Sequence, residues 1–177
     1  MNTSPLRAGQ AFPSIVLPLL SDGETDISTK TASGNWKLIV VYRGKHCPLC
    51  TRQLLELEAL HNDFNEAGVD VIAVSADSKE RAIAQLHEVN ASYPVAYGLT
   101  EKHMKRLGLY ISGPQNGTNV EGAFSEPGLF VVNQDGFLQL VDSSNAPFLR
   151  PALNNVLAGI KWLRSQTQSF PINGTHA

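Results

Sequence analysis

Short apolar runs alternate along this chain with longer segments in which apolar residues recur at helical spacing. The run at 37–43 is apolar and rich in β-branched residues, which is typical of a buried strand. Leucines at helical spacing then predict a helix over 48–66, and Gly68 follows where that helix should end. A second apolar run at 69–75 predicts the neighbouring strand.

The same patterns predict the other elements and one domain. In chain order they are an N-terminal β-hairpin around Ser21-Asp22-Gly23, a helix from the N-cap Ser78 to about Asn90 with Ile83 and Leu86 facing inward, a short strand near 95–97, a short helix at 100–107, a loop at 108–126, a hairpin of strands at 129–132 and 137–141, and a last helix opened by Pro151. This order predicts an α/β fold with a mixed sheet and helices on both faces. The domain is expected to cover residues 1–166, with a polar tail at 167–177.

Composition and charge exclude several classes of function. The chain has 14 basic and 16 acidic residues and a net charge of −2, which gives no indication of a nucleic-acid or membrane partner. No apolar run approaches the ~20 residues of a membrane helix. Residues 1–11 lack the basic start and apolar core of a signal peptide. We therefore expect a cytoplasmic protein, whose cysteines are kept reduced.

The only two cysteines lie in one tetrapeptide, Cys47-Pro48-Leu49-Cys50. This spacing lets both sulfurs meet across one helical turn, where they can close and reopen a disulfide. A strand that delivers such a motif to the start of a helix is the thioredoxin-type arrangement. We therefore predict that Cys47 and Cys50 are catalytic. No metal or organic cofactor is expected, because the electrons pass through the two sulfurs.

Cys47 is expected to be the more acidic and the more exposed of the two thiols. It lies at the predicted helix start, where free backbone N–H groups and the helix dipole favour a thiolate. Arg43, Lys45 and His46 precede it and add positive charge. Cys50, one turn further along, is expected to be more buried and to resolve a mixed disulfide.

Other interpretations of these residues remain open. The cysteines with His46 or His61 would form half of a zinc site, although a second cysteine pair is missing. Arg43 could pair with a carboxylate instead of serving the thiols. Glu126 is interpreted as a surface charge, with a proton acceptor beside the cysteines as the alternative.

The segment 41–50 and the following Gln53-Leu54 resemble the YRG-x-x-CP-x-C-x-x-QL segment of peroxiredoxin-like proteins. These proteins belong to the alkyl hydroperoxide reductase/thiol-specific antioxidant superfamily. The resemblance begins at 9–13 and extends through 126–136. It implies a thioredoxin-like fold, with a central mixed β-sheet flanked by helices and an N-terminal β-hairpin extension.

The resemblance also implies that Pro127 is a cis-proline that faces the cysteines. We assign supporting roles to Arg43, His46, Pro48 and Pro127.

The chain departs from the family pattern at several positions. Aligning the strand ends puts Arg43 at the peroxiredoxin proline, Cys47 at the threonine and Cys50 at the peroxidatic cysteine. The catalytic arginine expected before the later strand is absent, because that stretch reads Glu126-Pro127-Gly128. Val41 replaces the buried carboxylate that thioredoxins carry before their first cysteine.

We therefore predict a thiol-disulfide oxidoreductase, a peroxiredoxin-like antioxidant protein that cycles its CxxC between dithiol and disulfide. One alternative is a true thiol peroxidase, in which Cys50 attacks hydroperoxides and Cys47 resolves the sulfenic acid. Another is a non-catalytic redox-sensing or binding module. The expected partners are a thiol reductant of thioredoxin or glutathione type and a peroxide or disulfide substrate.

Overall fold

The computed structural model describes residues 5–29, 34–114, 120, 122–166 and 170–176. Its strands are β1 (Val16–Pro18), β2 (Glu24–Asp26), β3 (Trp36–Val41), β4 (Val69–Val74), β5 (Val95–Ala96), β6 (Ile111–Ser112), β7 (Phe124–Ser125), β8 (Gly128–Val132) and β9 (Leu138–Ser143). Its helices are α1 (Pro48–Glu66), α2 (Lys79–Val89), α3 (Glu101–Arg106) and α4 (Leu153–Ser165). The elements follow the predicted order, and α1 has the predicted bounds.

A five-stranded sheet in the order β5-β4-β3-β8-β9 carries the fold. Strands β3, β4 and β5 are parallel, while β8 is antiparallel to both β3 and β9. The sheet is therefore mixed, as predicted. Because β3 lies in the middle and is covered on both faces, its sequence is a continuous apolar run. The predicted N-terminal hairpin is present as the antiparallel pair β1 and β2.

Alternate side chains of β3 enter two different cores. Leu38 and Val40 pack in the core that includes the buried faces of α1 and α4. Ile39 and Val41 pack in the core that includes the N-terminal hairpin and Met104 of α3. Helices therefore lie on both faces of the sheet, and β3 and α1 are held firmly where the chain passes from one to the other.

Two regions differ from the sequence prediction. Ile83 does not face inward but is 36% exposed, because α2 buries Ala82, Gln85 and Val89 instead. The predicted loop at 108–126 contains β6 and β7, which form a small antiparallel sheet.

The described part of the C-terminal tail lies against α4, where the ring of Phe170 meets that of Trp162 at 4.8 Å. Within the described ranges, no helix is both long and apolar enough to cross a bilayer.

Candidate active site

The CxxC motif lies where β3 ends and α1 begins. Cys47 is the N-cap residue of α1, Pro48 occupies the start of the helix, and Cys50 lies in its first turn. Proline is favoured at this position because its backbone angle suits the helix and its missing N–H is not needed. Both cysteines are free thiols.

Both cysteines are buried, and Cys47 is slightly the more exposed of the two. Cys47 is 2% exposed and Cys50 is fully buried. The reason is the side chain of Arg150, whose Nη2 lies 3.1 Å from Cys50 Sγ and 3.8 Å from Cys47 Sγ. A single guanidinium therefore contacts both members of the dithiol.

Arg150 is held in place by two further hydrogen bonds. Its Nη1 donates to Gln53 Oε1 in α1, and its Nε donates to the carbonyl oxygen of Pro147. The guanidinium is thus fixed by a helix and by its own loop, and its remaining nitrogen faces the sulfurs. An arginine fixed in this way lowers the energy of a neighbouring thiolate.

Sequence reasoning missed Arg150 because it looked for an arginine just before β8. The residue instead follows β9, and its contact with Cys50 spans 100 positions in the chain. A topological signal was available. Because β8 is antiparallel to β3 and β9 is antiparallel to β8, the chain after β9 returns to the edge of the sheet where β3 ends.

The connection between β3 and α1 adds a second donor to Cys50. The backbone N–H of Arg43 donates to Cys50 Sγ at 3.3 Å. Gly44 then turns with φ of 129°, and a Cβ at this position would lie 2.7 Å from Asp77 Oδ1. This close approach lets the backbone N–H of Lys45 donate to Asp77 Oδ2 at 2.9 Å. The glycine therefore sets the path of the chain into the motif.

The two thiols share one proton. The hydrogen bond donated by the Cys50 thiol lowers the pKa of Cys47 to about 5 against the effect of burial, with help from the Cys50 N–H, Arg43 and Arg150. Donating that hydrogen bond raises the pKa of Cys50, and burial raises it further. Arg150 contacts Cys50 more closely and opposes this rise, but Cys50 keeps the shared proton. Cys47 is therefore the thiol that ionises first.

Arg43 takes both of the roles that the sequence left open. Besides its N–H contact with Cys50, its Nε forms an ion pair with Glu126 Oε2 at 3.0 Å, with side-chain exposures of 16% and 5%. Its guanidinium also lies over the ring of Phe124, 4.8 Å from the centroid. Ser112 Oγ donates to the other oxygen of Glu126 at 2.7 Å.

Glu126 is consequently a buried ion-pair partner, and its interpretation as a surface charge is wrong. The physical reason is strand register. Val41 pairs with Gly128 across the antiparallel strands, and continuing this register brings Glu126 opposite Arg43.

Pro127 is not a cis-proline. The described peptide bonds include no cis bond, so the prediction is wrong for the bond between Glu126 and Pro127. The chain instead runs extended from β7 into β8 and bonds neighbours on both sides. The N–H of Glu126 donates to the carbonyl of Tyr110 at 2.8 Å, and the carbonyl of Pro127 accepts from the N–H of Ser144 at 3.1 Å.

His46 packs beside the motif, and among the described residues neither of its ring nitrogens has a hydrogen-bond partner. Its ring meets that of Phe124 edge-on at 4.7 Å. Burial and the nearby Arg43 charge lower the pKa of His46. His61 is engaged elsewhere, with Nδ1 at 2.8 Å from Ser92 Oγ. Across the described ranges, no three His, Cys, Asp or Glu side chains gather as a group that could hold a metal ion.

Comparison with known proteins gives a family match and several relatives. The model of the AhpC/TSA family matches residues 8–141. A putative peroxiredoxin from Synechocystis sp. is 23% identical over 177 residues, covering 96% of this chain and 84% of the relative. The thiol-disulfide oxidoreductase ResA of Halalkalibacterium halodurans is 27% identical over 90 residues, which cover 50% of this chain and 49% of ResA.

Solved structures share the fold. Peroxidoxin BcpB of Mycobacterium tuberculosis has a TM-score of 0.72 at 17% identity, covering 90% of this chain and 99% of that one. A mutant of PrxQ from Xylella fastidiosa has a TM-score of 0.74 at 17% identity, covering 91% of this chain and 99% of that one. These likenesses confirm the predicted thioredoxin-like fold.

Proposed function

Because the chain belongs to the AhpC/TSA family, we propose that it cycles Cys47 and Cys50 between a dithiol and a disulfide. A peroxiredoxin-like oxidoreductase role is supported by the family match and by the peroxiredoxin and ResA relatives. The observation that carries the finer proposal is the Arg150 guanidinium, which lies within 3.8 Å of both sulfurs. One cation placed on two thiols favours a thiolate that can attack and a neighbour that can resolve.

The cycle begins with the Cys47 thiolate, since Cys47 has the lowered pKa. With a disulfide substrate, Cys47 attacks one sulfur, the substrate's S–S bond breaks, and its other sulfur leaves as a thiolate. Cys50 then loses its proton and attacks Cys47, which releases the second substrate thiol and leaves the Cys47–Cys50 disulfide. Two electrons pass to the substrate, and a thiol reductant of thioredoxin or glutathione type restores the dithiol.

Peroxide is the second candidate substrate, with Cys50 as the attacking residue. The contacts of Arg150 at 3.1 Å and of the Arg43 N–H at 3.3 Å on Cys50 favour it. In this cycle Cys50 attacks one peroxide oxygen, the O–O bond breaks, and water or an alcohol leaves. Cys47 then attacks the sulfenic acid on Cys50, water leaves, and the same disulfide forms.

Stopped-flow oxidation of the reduced protein distinguishes these cycles, with hydrogen peroxide in one arm and insulin, a protein disulfide, in the other. The matched variants are Cys47→Ser and Cys50→Ser. We expect fast exchange with insulin, which is lost in Cys47→Ser. We also expect the number of free thiols per chain to fall from two to none on mild oxidation. Peroxide consumption that survives in Cys47→Ser but not in Cys50→Ser would establish the peroxidase instead.

An oxidised monomer that retains two free thiols would rule out the disulfide cycle. A protein that reduces neither substrate would be a sensing or binding module.

A further inference from the structure

A cleft of about 280 Å³ lies beside the CxxC motif, between the connection that follows β3 and the start of α2. Its polar and aromatic lining comprises Arg43, His46, Asp77, Ser78, Arg81 and Phe124. Neither sulfur lines it, so the dithiol cycle alone gives this cleft no role.

The imidazole of His46 is the first sign that a ligand enters this cleft. Both of its ring nitrogens are buried and have no hydrogen-bond partner within the described part of the chain. Because burial lowers its pKa, the ring is neutral at neutral pH and carries one N–H donor and one acceptor. Buried polar groups are nearly always paired, so an unpaired ring that lines a cleft indicates a missing partner.

The hydrogen-bond donors of the lining favour an anionic group as that partner. The lining carries two guanidinium groups and one carboxylate, and Arg43 is also paired with Glu126 outside the lining. The carboxylate of Asp77 is already engaged by the Lys45 N–H at 2.9 Å and by Arg81 Nε at 3.1 Å. Ser78 is the N-cap of α2, so the positive end of that helix dipole also faces the cleft.

Arg43 joins this cleft to the dithiol. Its Nε pairs with Glu126, and its side chain helps to lower the pKa of Cys47. A guanidinium has several N–H donors in a planar fork, which suits a carboxylate. A ligand held at Arg43 is therefore held next to the chain segment that carries Cys47.

We propose that this cleft binds the carboxylate of a low-molecular-weight thiol that reduces the Cys47–Cys50 disulfide. The inference rests on the proposed function and names the class of its reductant. The volume is near the lower end for small-molecule sites, and it suits a small thiol better than a segment of a protein reductant.

The chemistry balances with two molecules of the thiol. The first, as a thiolate, attacks Cys47 Sγ, and the S–S bond breaks with its electron pair left on Cys50, which takes up a proton. The second thiolate attacks the ligand sulfur of the mixed disulfide. The Cys47 thiolate leaves, and the two thiols depart as their own disulfide with two electrons given to the protein.

Binding is tested with S-methylglutathione, which has the carboxylates of a small thiol but no free sulfur to react. Its titration into the reduced protein is followed by calorimetry and by the NMR resonances of the His46 ring. We expect saturable binding that shifts these resonances, and binding at least tenfold weaker for the diethyl ester of the same compound.

Two variants control this test. Ala123→Leu fills the cleft without changing a charge and should weaken binding at least tenfold. Lys79→Met removes an exposed cation at the start of α2 that pairs with Asp22 outside the cleft, and it should bind normally. Circular dichroism checks that both variants fold. If Ala123→Leu does not fold, His46→Phe replaces it as the cleft variant.

The kinetic arm follows reduction of the oxidised protein by glutathione, its diethyl ester and dithiothreitol. Ala123→Leu should slow reduction by glutathione at least tenfold and leave the rate of reduction by dithiothreitol unchanged. No saturable binding, or equal binding of acid and ester, would overturn the proposal. The proposal would also be overturned if S-methylglutathione binds but Ala123→Leu has no effect on reduction by glutathione. Failure of the dithiol cycle itself would show separately, as a lack of insulin and peroxide reduction with ligand binding intact.

Discussion

Replacing Arg150 with methionine should raise the pKa of the Cys47 thiol. Methionine keeps an apolar side chain of similar length but removes the charge that lies 3.8 Å from Cys47 Sγ. At this distance and an effective dielectric constant near 20, the attraction to a thiolate is about 4 kcal/mol. Neighbouring opposite charges typically shift a pKa by ~1–3 units.

The lower end of this range applies, because the Cys50 hydrogen bond is the main cause of the low pKa and it remains in the variant. The pKa of Cys47 should therefore rise by about one unit from its value of about 5. At about pH 5.5 the thiolate fraction should fall from roughly three quarters to roughly one quarter.

The assay is the rate of Cys47 alkylation by iodoacetamide as a function of pH, with mass spectrometry to identify the labelled residue. Near about pH 5.5 the variant should react about threefold more slowly, and the two curves should meet above about pH 8. Arg164→Met is the matched control, because Arg164 stacks on Trp36 at the opposite end of β3. An unshifted midpoint in Arg150→Met, or the same shift in Arg164→Met, would refute the reasoning.

Three further predictions concern stability, each measured by urea unfolding of the reduced protein. Glu126→Gln leaves the mostly buried Arg43 without its ion-pair partner and should cost about 3–5 kcal/mol, and adding Arg43→Met should recover part of this loss. Gly44→Ala should cost about 1–3 kcal/mol, because its positive φ and the 2.7 Å approach to a carboxylate oxygen leave no room for a Cβ. Gly113→Ala, with open space around it, should be nearly neutral and serves as its control. The pKa of Cys47 in the fold lies at about 5, below its ordinary value of 9.0. The Cys47 thiolate should therefore increase the free energy of unfolding as the pH rises from about 5 to 9, and this stabilisation is lost as the pH falls through 5. Cys47→Ser should reduce the pH dependence of the free energy of unfolding in this range. The same pH dependence in the variant as in the unchanged protein would contradict the lowered pKa.

The parts of the fold that were predictable depend on local patterns. The bounds of α1 follow from a strong helical period, a proline at its start and a glycine after its end. The burial of β3 follows from its uninterrupted apolar run. In both cases the residues that determine the element are neighbours in the chain.

The parts that were missed depend on contacts between distant segments. Arg150 reaches the sulfurs only because β9 returns to the end of β3, and Glu126 is buried only because of the register between β3 and β8. Of the two residues predicted to face inward from α2, Leu86 packs against the core, but Ile83 faces solvent and Gln85 is buried against Thr51 of α1 instead. The cis-proline was carried over from a family pattern, and the bond before Pro127 is not cis.

The place of both cysteines within the first turn of α1 has a consequence for loop-closure entropy. A bond between Cys47 and Cys50 closes a ring of only four residues. Such a ring takes about 2 kcal/mol from the freedom of the unfolded chain, compared with ~5 kcal/mol for a loop of about 100 residues. Loop closure at this position therefore adds less than half of what a loop of about 100 residues would add to the free energy of unfolding.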